Sequence, residues 1–190
     1  DDFGIYNVVG GVVVLFSFLT NAMTSSTQRF LNYNFGLKNE SKVSHIFNVS
    51  ILTHFTIFLL VLLLSETVGL WFVMTQLNIP VGRETATMWV YQMSVVTTLI
   101  GIMVIPYRAS IIAAERMSIF AYVSILEVAL KLVVVLVLSY MSFDNLVMYS
   151  ILLTLVALLN FFIYQIECRR KLSFTKYHFV WDKSQYKEMM

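Results

Sequence analysis

Five long apolar segments are joined by short connections whose Lys and Arg residues cluster on alternate sides, and this pattern constrains the chain more than any motif in it. A bilayer core about 30 Å thick is crossed by roughly 20 apolar residues in a helix. The apolar runs here are of that length, whereas barrel strands would be about 10 residues long with strict alternation. The chain therefore reads as an all-α integral membrane protein with about five transmembrane helices. Of its 190 residues 58% are hydrophobic and 13% charged, against about 25% charged in a soluble domain. Five spans use up the length and leave no room for a separate soluble domain.

The expected spans run from about Phe3 to Asn34, Val43 to Met74, Thr85 to Tyr107, Ser118 to Tyr140 and Asn145 to Cys168. Residues 1–170 thus form one helical bundle, and 171–190 a polar tail leading toward a further helix. The opening Asp1-Asp2 is not the basic start of a signal peptide, and there is no initiator Met, so the chain is expected to be an excerpt of something longer.

Orientation follows from the count of Lys and Arg in short loops. Arg29, Lys38, Lys42, Arg108, Arg116 and Arg169 to Lys176 fall on one side, which should be cytoplasmic. Arg83 falls on the other, with acidic Asp1, Asp2, Glu84 and Asp144. Trp71, Trp89, Tyr91, Tyr140 and Phe143 lie near the predicted outer ends, where aromatic residues anchor a helix at the interface.

Some function classes drop out. The net charge of +2 is not gathered into a basic patch, so no nucleic-acid partner is expected. Cys168 is the single cysteine, and His45, His54 and His178 have no ligand spacing, so neither a metal site nor a cofactor is expected. No phosphate-binding glycine loop, nucleophile elbow or carboxylate pair supports catalysis. The protein does not read as an enzyme.

Polar residues inside the apolar segments carry the functional signal, because lipid satisfies no hydrogen bond. In the first span Ser17, Asn21, Thr24, Ser25, Gln28 and Asn32 recur at spacings that put them on one helical face. That face either lines a hydrophilic cavity, with Asn21, Thr24 and Gln28 as contacts, or glues two helices together. Glu127 and Lys131, four residues apart in mid-span, either neutralise each other or form part of a substrate or ion-coupling site. Glu66 is expected to reach the interface. Gly101 and Pro106 interrupt the third span and could act as a hinge. Arg29, Arg108 and Arg116 would flank a cytoplasmic mouth, able to set topology or to meet an anionic headgroup.

Three blocks resemble a known family. FGIYNVVGGVVVLFSFLTNAMTSSTQRFLNYNFG, from Phe3 to Gly36, is similar to the second helix of bacterial polysaccharide and O-antigen flippases. WVYQMSVVTTLIGIMVIPYRASIIAAERMSIFAYVSILEVALKLVVV, from Trp89 to Val135, resembles their fourth and fifth helices, and DKSQYKEMM, from Asp182 to Met190, the approach to their seventh. The resemblance implies helices two to six of one lobe of a two-lobe flippase in the bacterial inner membrane. It implies movement of an undecaprenyl-pyrophosphate-linked oligosaccharide between leaflets, for lipopolysaccharide or other surface polysaccharide. The expected partners are the bilayer, the lipid-linked oligosaccharide, a coupling cation and the second lobe. The wider group includes multidrug exporters, so a cation-coupled exporter with Glu127 as coupling residue is the alternative. A non-transporting membrane partner subunit is another. The family is expected to place cations in its cavity, yet the first span has no Lys or Arg before Arg29.

Overall fold

The computed structural model describes residues 17–37, 40–77, 79, 82–140 and 144–175, with side chains for all of these except 17–23 and Glu40. Every regular element among them is helical. Helix α1 spans Ser17–Gly36 and α2 Glu40–Leu64. A π-helical turn, Ser65–Gly69, leads into the short α3, Leu70–Thr75. Then come α4, Glu84–Ala113, α5, Met117–Leu138, and α6, Asn145–Lys171, closed by a 3₁₀ turn at Ser173–Thr175. Among the described residues four spans are long and apolar enough to cross a membrane: Ser41–Thr75, Glu84–Ala113, Met117–Leu138 and Asn145–Lys171. The chain is a multi-pass helical membrane protein. The apolar run of the first expected span lies mostly outside the described residues, and α1 is its polar second half.

Helix α4 is the centre of the bundle. It packs most extensively on α6, then on α1 and α2, while α5 leans mainly on α6. Toward the end where Arg108, Arg116 and Arg169 lie, here the basic end, Phe47, Tyr107, Ile111, Tyr164 and Cys168 form one apolar cluster. Toward the opposite end Ile57, Val61, Val90, Val95 and Leu99 form another. A third, of Leu31, Val43, Ile46, Ala109 and Ala113, seats α1 on α2 and α4. Lipid tails are as apolar as these side chains, so packing and interhelical hydrogen bonds hold such helices together. Thr97 and Thr154 accordingly share a hydrogen bond of 2.9 Å between α4 and α6. At the basic end of the same seam, the Cys168 thiol points at the Tyr107 carbonyl, 3.4 Å away. At the opposite end Arg83, just before α4, pairs with Asp144, which also caps α6 by accepting from the Leu146 N–H.

Two expectations are corrected. Tyr91 is no interfacial anchor: it is 1% exposed. Its hydroxyl donates to the Ser65 carbonyl at 2.6 Å. That carbonyl also accepts from the Leu70 N–H of the π turn, so Tyr91 is a second donor to it. Trp71, Trp89 and Tyr140 do lie exposed, and Phe143 is outside the described residues. The second correction concerns α4, which continues past Pro106 and Tyr107 to Ala113. Proline removes one backbone donor and crowds the carbonyl four residues back, which bends a helix without ending it. The buried ring is held between neighbours, and the Ser110 hydroxyl donates to the Pro106 carbonyl at 2.8 Å.

The α4–α5 connection is a Schellman turn. The Glu115 N–H meets the Ile112 carbonyl and the Arg116 N–H the Ile111 carbonyl, both at 3.0 Å. Glu115 takes the left-handed position, with φ 56°, where glycine is the residue without strain. Glu115→Gly is therefore expected to stabilise the fold by about 0.5–1 kcal/mol. Thermal unfolding in detergent checks this, with a raised midpoint as the expected result.

Candidate functional site

The candidate site begins with the two faces of α1. Thr27, Leu31 and Asn34 are buried, and at spacings of four and three they make the face that packs on α2 and α4. Ser25, Arg29 and Asn32 are exposed, and Thr24 and Gln28 half-buried. The polar stripe is thus turned away from the helix–helix contact, by roughly a third of a turn at 100° per residue. Of the expected cavity residues on this helix, Thr24 and Gln28 lie on the stripe. Asn21 lies on the same helix, with its side chain outside the described residues. Thr27 escaped the sequence pattern because it sits between stripe members, yet its spacing to Leu31 and Asn34 marks the packing face.

A second polar surface runs along α5. Phe120, Ser124, Glu127 and Lys131 follow at steps of four, three and four, so they share one face. The Lys131 ammonium lies 2.6 Å from the Glu127 carboxylate. Both side chains are more than a third exposed, at 52% and 38%. The Arg108 guanidinium of α4 sits 5.5 Å from the centre of the Phe120 ring, within cation–π range. Tyr164 of α6 lies beside Ser124, within electrostatic reach of both Arg108 and Glu127. Lys131 also lines a groove of about 410 Å³ between α5 and α6, with Val128, Leu132, Val135, Tyr149 and Leu153. The structure therefore brings Arg108, Glu127 and Lys131 onto one seam of α4, α5 and α6. The Glu127 carboxylate thus has the Lys131 ammonium as its partner.

The other expected residues stand apart. Arg29 is exposed on α1, and Arg116 is exposed where α5 begins. Gly101 is exposed on α4, and a methyl group in place of its hydrogen would meet nothing within 4 Å, so packing does not require glycine there. Among the described residues no group of three His, Cys, Asp or Glu is placed to hold a metal ion.

Two polar centres were not evident in the sequence. At the π turn Gln92 donates to the Glu66 carboxylate at 3.2 Å, so Glu66 turns inward to α4. Gly69 lets Tyr91 reach this turn, since a Cβ there would lie 2.2 Å from the Tyr91 hydroxyl oxygen. Between α1 and α2, Ser50 links the Thr27 hydroxyl, at 3.4 Å, to the ring of His54, at 3.3 Å. Only the apolar setting of His54 signalled this, as a lone histidine among Ile, Leu and Phe. No family model matches the chain, and neither do any curated protein or solved structure.

Proposed function

We propose that this chain is part of one lobe of an inner-membrane flippase for undecaprenyl-pyrophosphate-linked oligosaccharides. The single observation that carries the reading is the orientation of the α1 stripe. Gln28 and Asn32 lie off the packing face in a helix of a membrane bundle. Lipid leaves such groups unsatisfied, so a water-filled cavity or a facing lobe is the environment that suits them. The amides and hydroxyls suit a glycan, which offers many donors and acceptors and no apolar surface of its own. On the other flank the Arg108, Tyr164, Glu127 and Lys131 seam adds cationic groups for a pyrophosphate. The groove between α5 and α6 is apolar enough for part of an isoprenoid chain. The resemblance of Phe3 to Gly36 and Trp89 to Val135 to the flippases supports the choice of cargo.

The test uses the full-length protein in cells whose surface polysaccharide depends on it. Gln28→Leu with Asn32→Leu removes hydrogen-bonding groups and leaves the packing face of Thr27, Leu31 and Asn34 untouched. Export of the glycan is expected to fall tenfold or more at unchanged protein level. Single cysteines at Gln28 and Asn32, with Cys168→Ala, should react with a membrane-impermeant maleimide. Normal export in the double variant, or no labelling from either side, overturns the reading. Cation-dependent dye efflux without any glycan dependence would put the multidrug exporter in its place.

A further inference from the structure

His54 lies on the core face of α2, in series with Phe47, Ser50, Ile57 and Val61. It is 0% exposed. Its Nδ1 lies 2.8 Å from the Ser50 carbonyl oxygen. A carbonyl only accepts, so Nδ1 carries the hydrogen and Nε2 is left with its lone pair. That Nε2 is buried and has no hydrogen-bond partner. Buried polar atoms are satisfied as a rule, and the exceptions call for an explanation.

The position of His54 against α4 follows from two contacts on either side of it. The Phe47 and Tyr107 rings meet edge to face at 5.7 Å, and the Tyr91 hydroxyl meets the Ser65 carbonyl. The helices are antiparallel, so interpolation between these contacts sets His54 level with Gly101 and Ile102. The Ile102 carbonyl is the one that Pro106, with no N–H, cannot serve. From α1 the neighbour linked to His54 through Ser50 is the Thr27 hydroxyl, and from α4 the level carries Gly101 and Ile102, none of which titrates. Burial and the Ser50 carbonyl dominate the electrostatic surroundings of the ring, with no ionised side chain beside it among the described residues.

We propose that His54 is a proton-binding site inside the membrane, whose occupation opposes the packing of α2 against α4. A proton taken from water binds the Nε2 lone pair. The ring gains one positive charge, and no other bond is broken. The Nδ1–H keeps the Ser50 carbonyl, and the new Nε2–H then faces a seam whose described side chains offer it no acceptor. A buried cationic donor without a partner is costly. The seam relieves it by admitting water or by turning the Ile102 carbonyl toward the ring. Protonation and the closed α2–α4 seam therefore exclude each other, whatever cargo the protein moves.

The test uses full-length protein with ¹⁵N-labelled histidine in lipid nanodiscs. Spin labels go on the exposed positions Leu60 of α2 and Val96 of α4, with Cys168→Ala. At neutral pH the His54 resonance should show the Nδ1–H tautomer, and its assignment comes from its loss in His54→Gln. On acidification the label-to-label distance should shift in step with the His54 titration, and His54→Gln should hold the distance at its neutral value. An Nε2–H tautomer, a titration with no distance change, or the same shift in His54→Gln each overturns the proposal. So does a His54 that stays unprotonated until the protein unfolds. Should His54→Gln not fold, replacing every other histidine of the full-length protein assigns the resonance by elimination, and the two wild-type curves decide. They either coincide or they do not, independently of any export measurement.

Discussion

Gly69→Ala is expected to destabilise the folded protein by about 2–3 kcal/mol, a large loss for a single methyl group. The new Cβ would sit 2.2 Å from the Tyr91 hydroxyl oxygen, and overpacking a filled site costs about 1–3 kcal/mol. Tyr91 is buried and has no room to swing away, so the clash also endangers its hydrogen bond to the Ser65 carbonyl. That bond is worth about 1 kcal/mol, while the Ser65 carbonyl keeps the Leu70 N–H. Tyr91→Phe alone should cost about 1 kcal/mol by the same reasoning. Adding it to Gly69→Ala should recover part of the loss, because the oxygen that clashes is gone. The measurement is the thermal midpoint of all three variants in one detergent. A double variant as unstable as the sum of the singles would show that Gly69 is needed for a reason other than Tyr91, since residues in contact are expected to couple.

Lys131→Ala is the second large effect. It leaves the Glu127 carboxylate without its partner at 2.6 Å, in a helix whose remaining residues are almost all apolar. An unpaired charge near the centre of a span costs about 2.5–3.5 kcal/mol on insertion scales. The protein level in the membrane should fall several-fold in Lys131→Ala. Glu127→Gln together with Lys131→Ala removes both charges and should restore the level. The two roles of the pair then separate. Glycan export per molecule should stay low in the double variant if Lys131 meets the cargo. Full restoration of both level and export would leave the pair a structural neutralisation and nothing more. Fluorescence of a fused reporter gives the level, and surface glycan gives the export.

The helices were legible because a membrane span announces itself by length and apolarity. The apolar stretches around Leu59, Leu99, Leu132 and Leu152 all lie within the spans that cross. The Glu127–Lys131 pair was legible too, since four residues in a helix is one turn. Three features were not. The Tyr91 reading failed because a tyrosine near a span end looks the same whether its ring faces lipid or core. What decides is a π turn on another helix, which a one-dimensional pattern does not encode. The α1 stripe was visible as a stripe, but its direction was not. Only the seating of Leu31 against Val43, Ile46 and Ala109 shows which way it turns. The end of α4 was misplaced for a related reason: proline forbids one hydrogen bond, and neighbouring helices decide whether the helix stops.

The contacts between α4 and α6 recur at a nearly constant offset. Arg83 meets Asp144 61 residues on, Thr97 meets Thr154 57 on, and Tyr107 meets Cys168 61 on. The two helices run parallel, fastened at the top, the middle and the bottom. Sliding one past the other by a single turn, about 5.4 Å, would undo all three fastenings together. They behave as one stiff beam. Whatever moves in this half of the molecule moves against that beam: α1 and α2 on one side, α5 on the other. The seam that carries His54 and the seam that carries Lys131 are its two free edges.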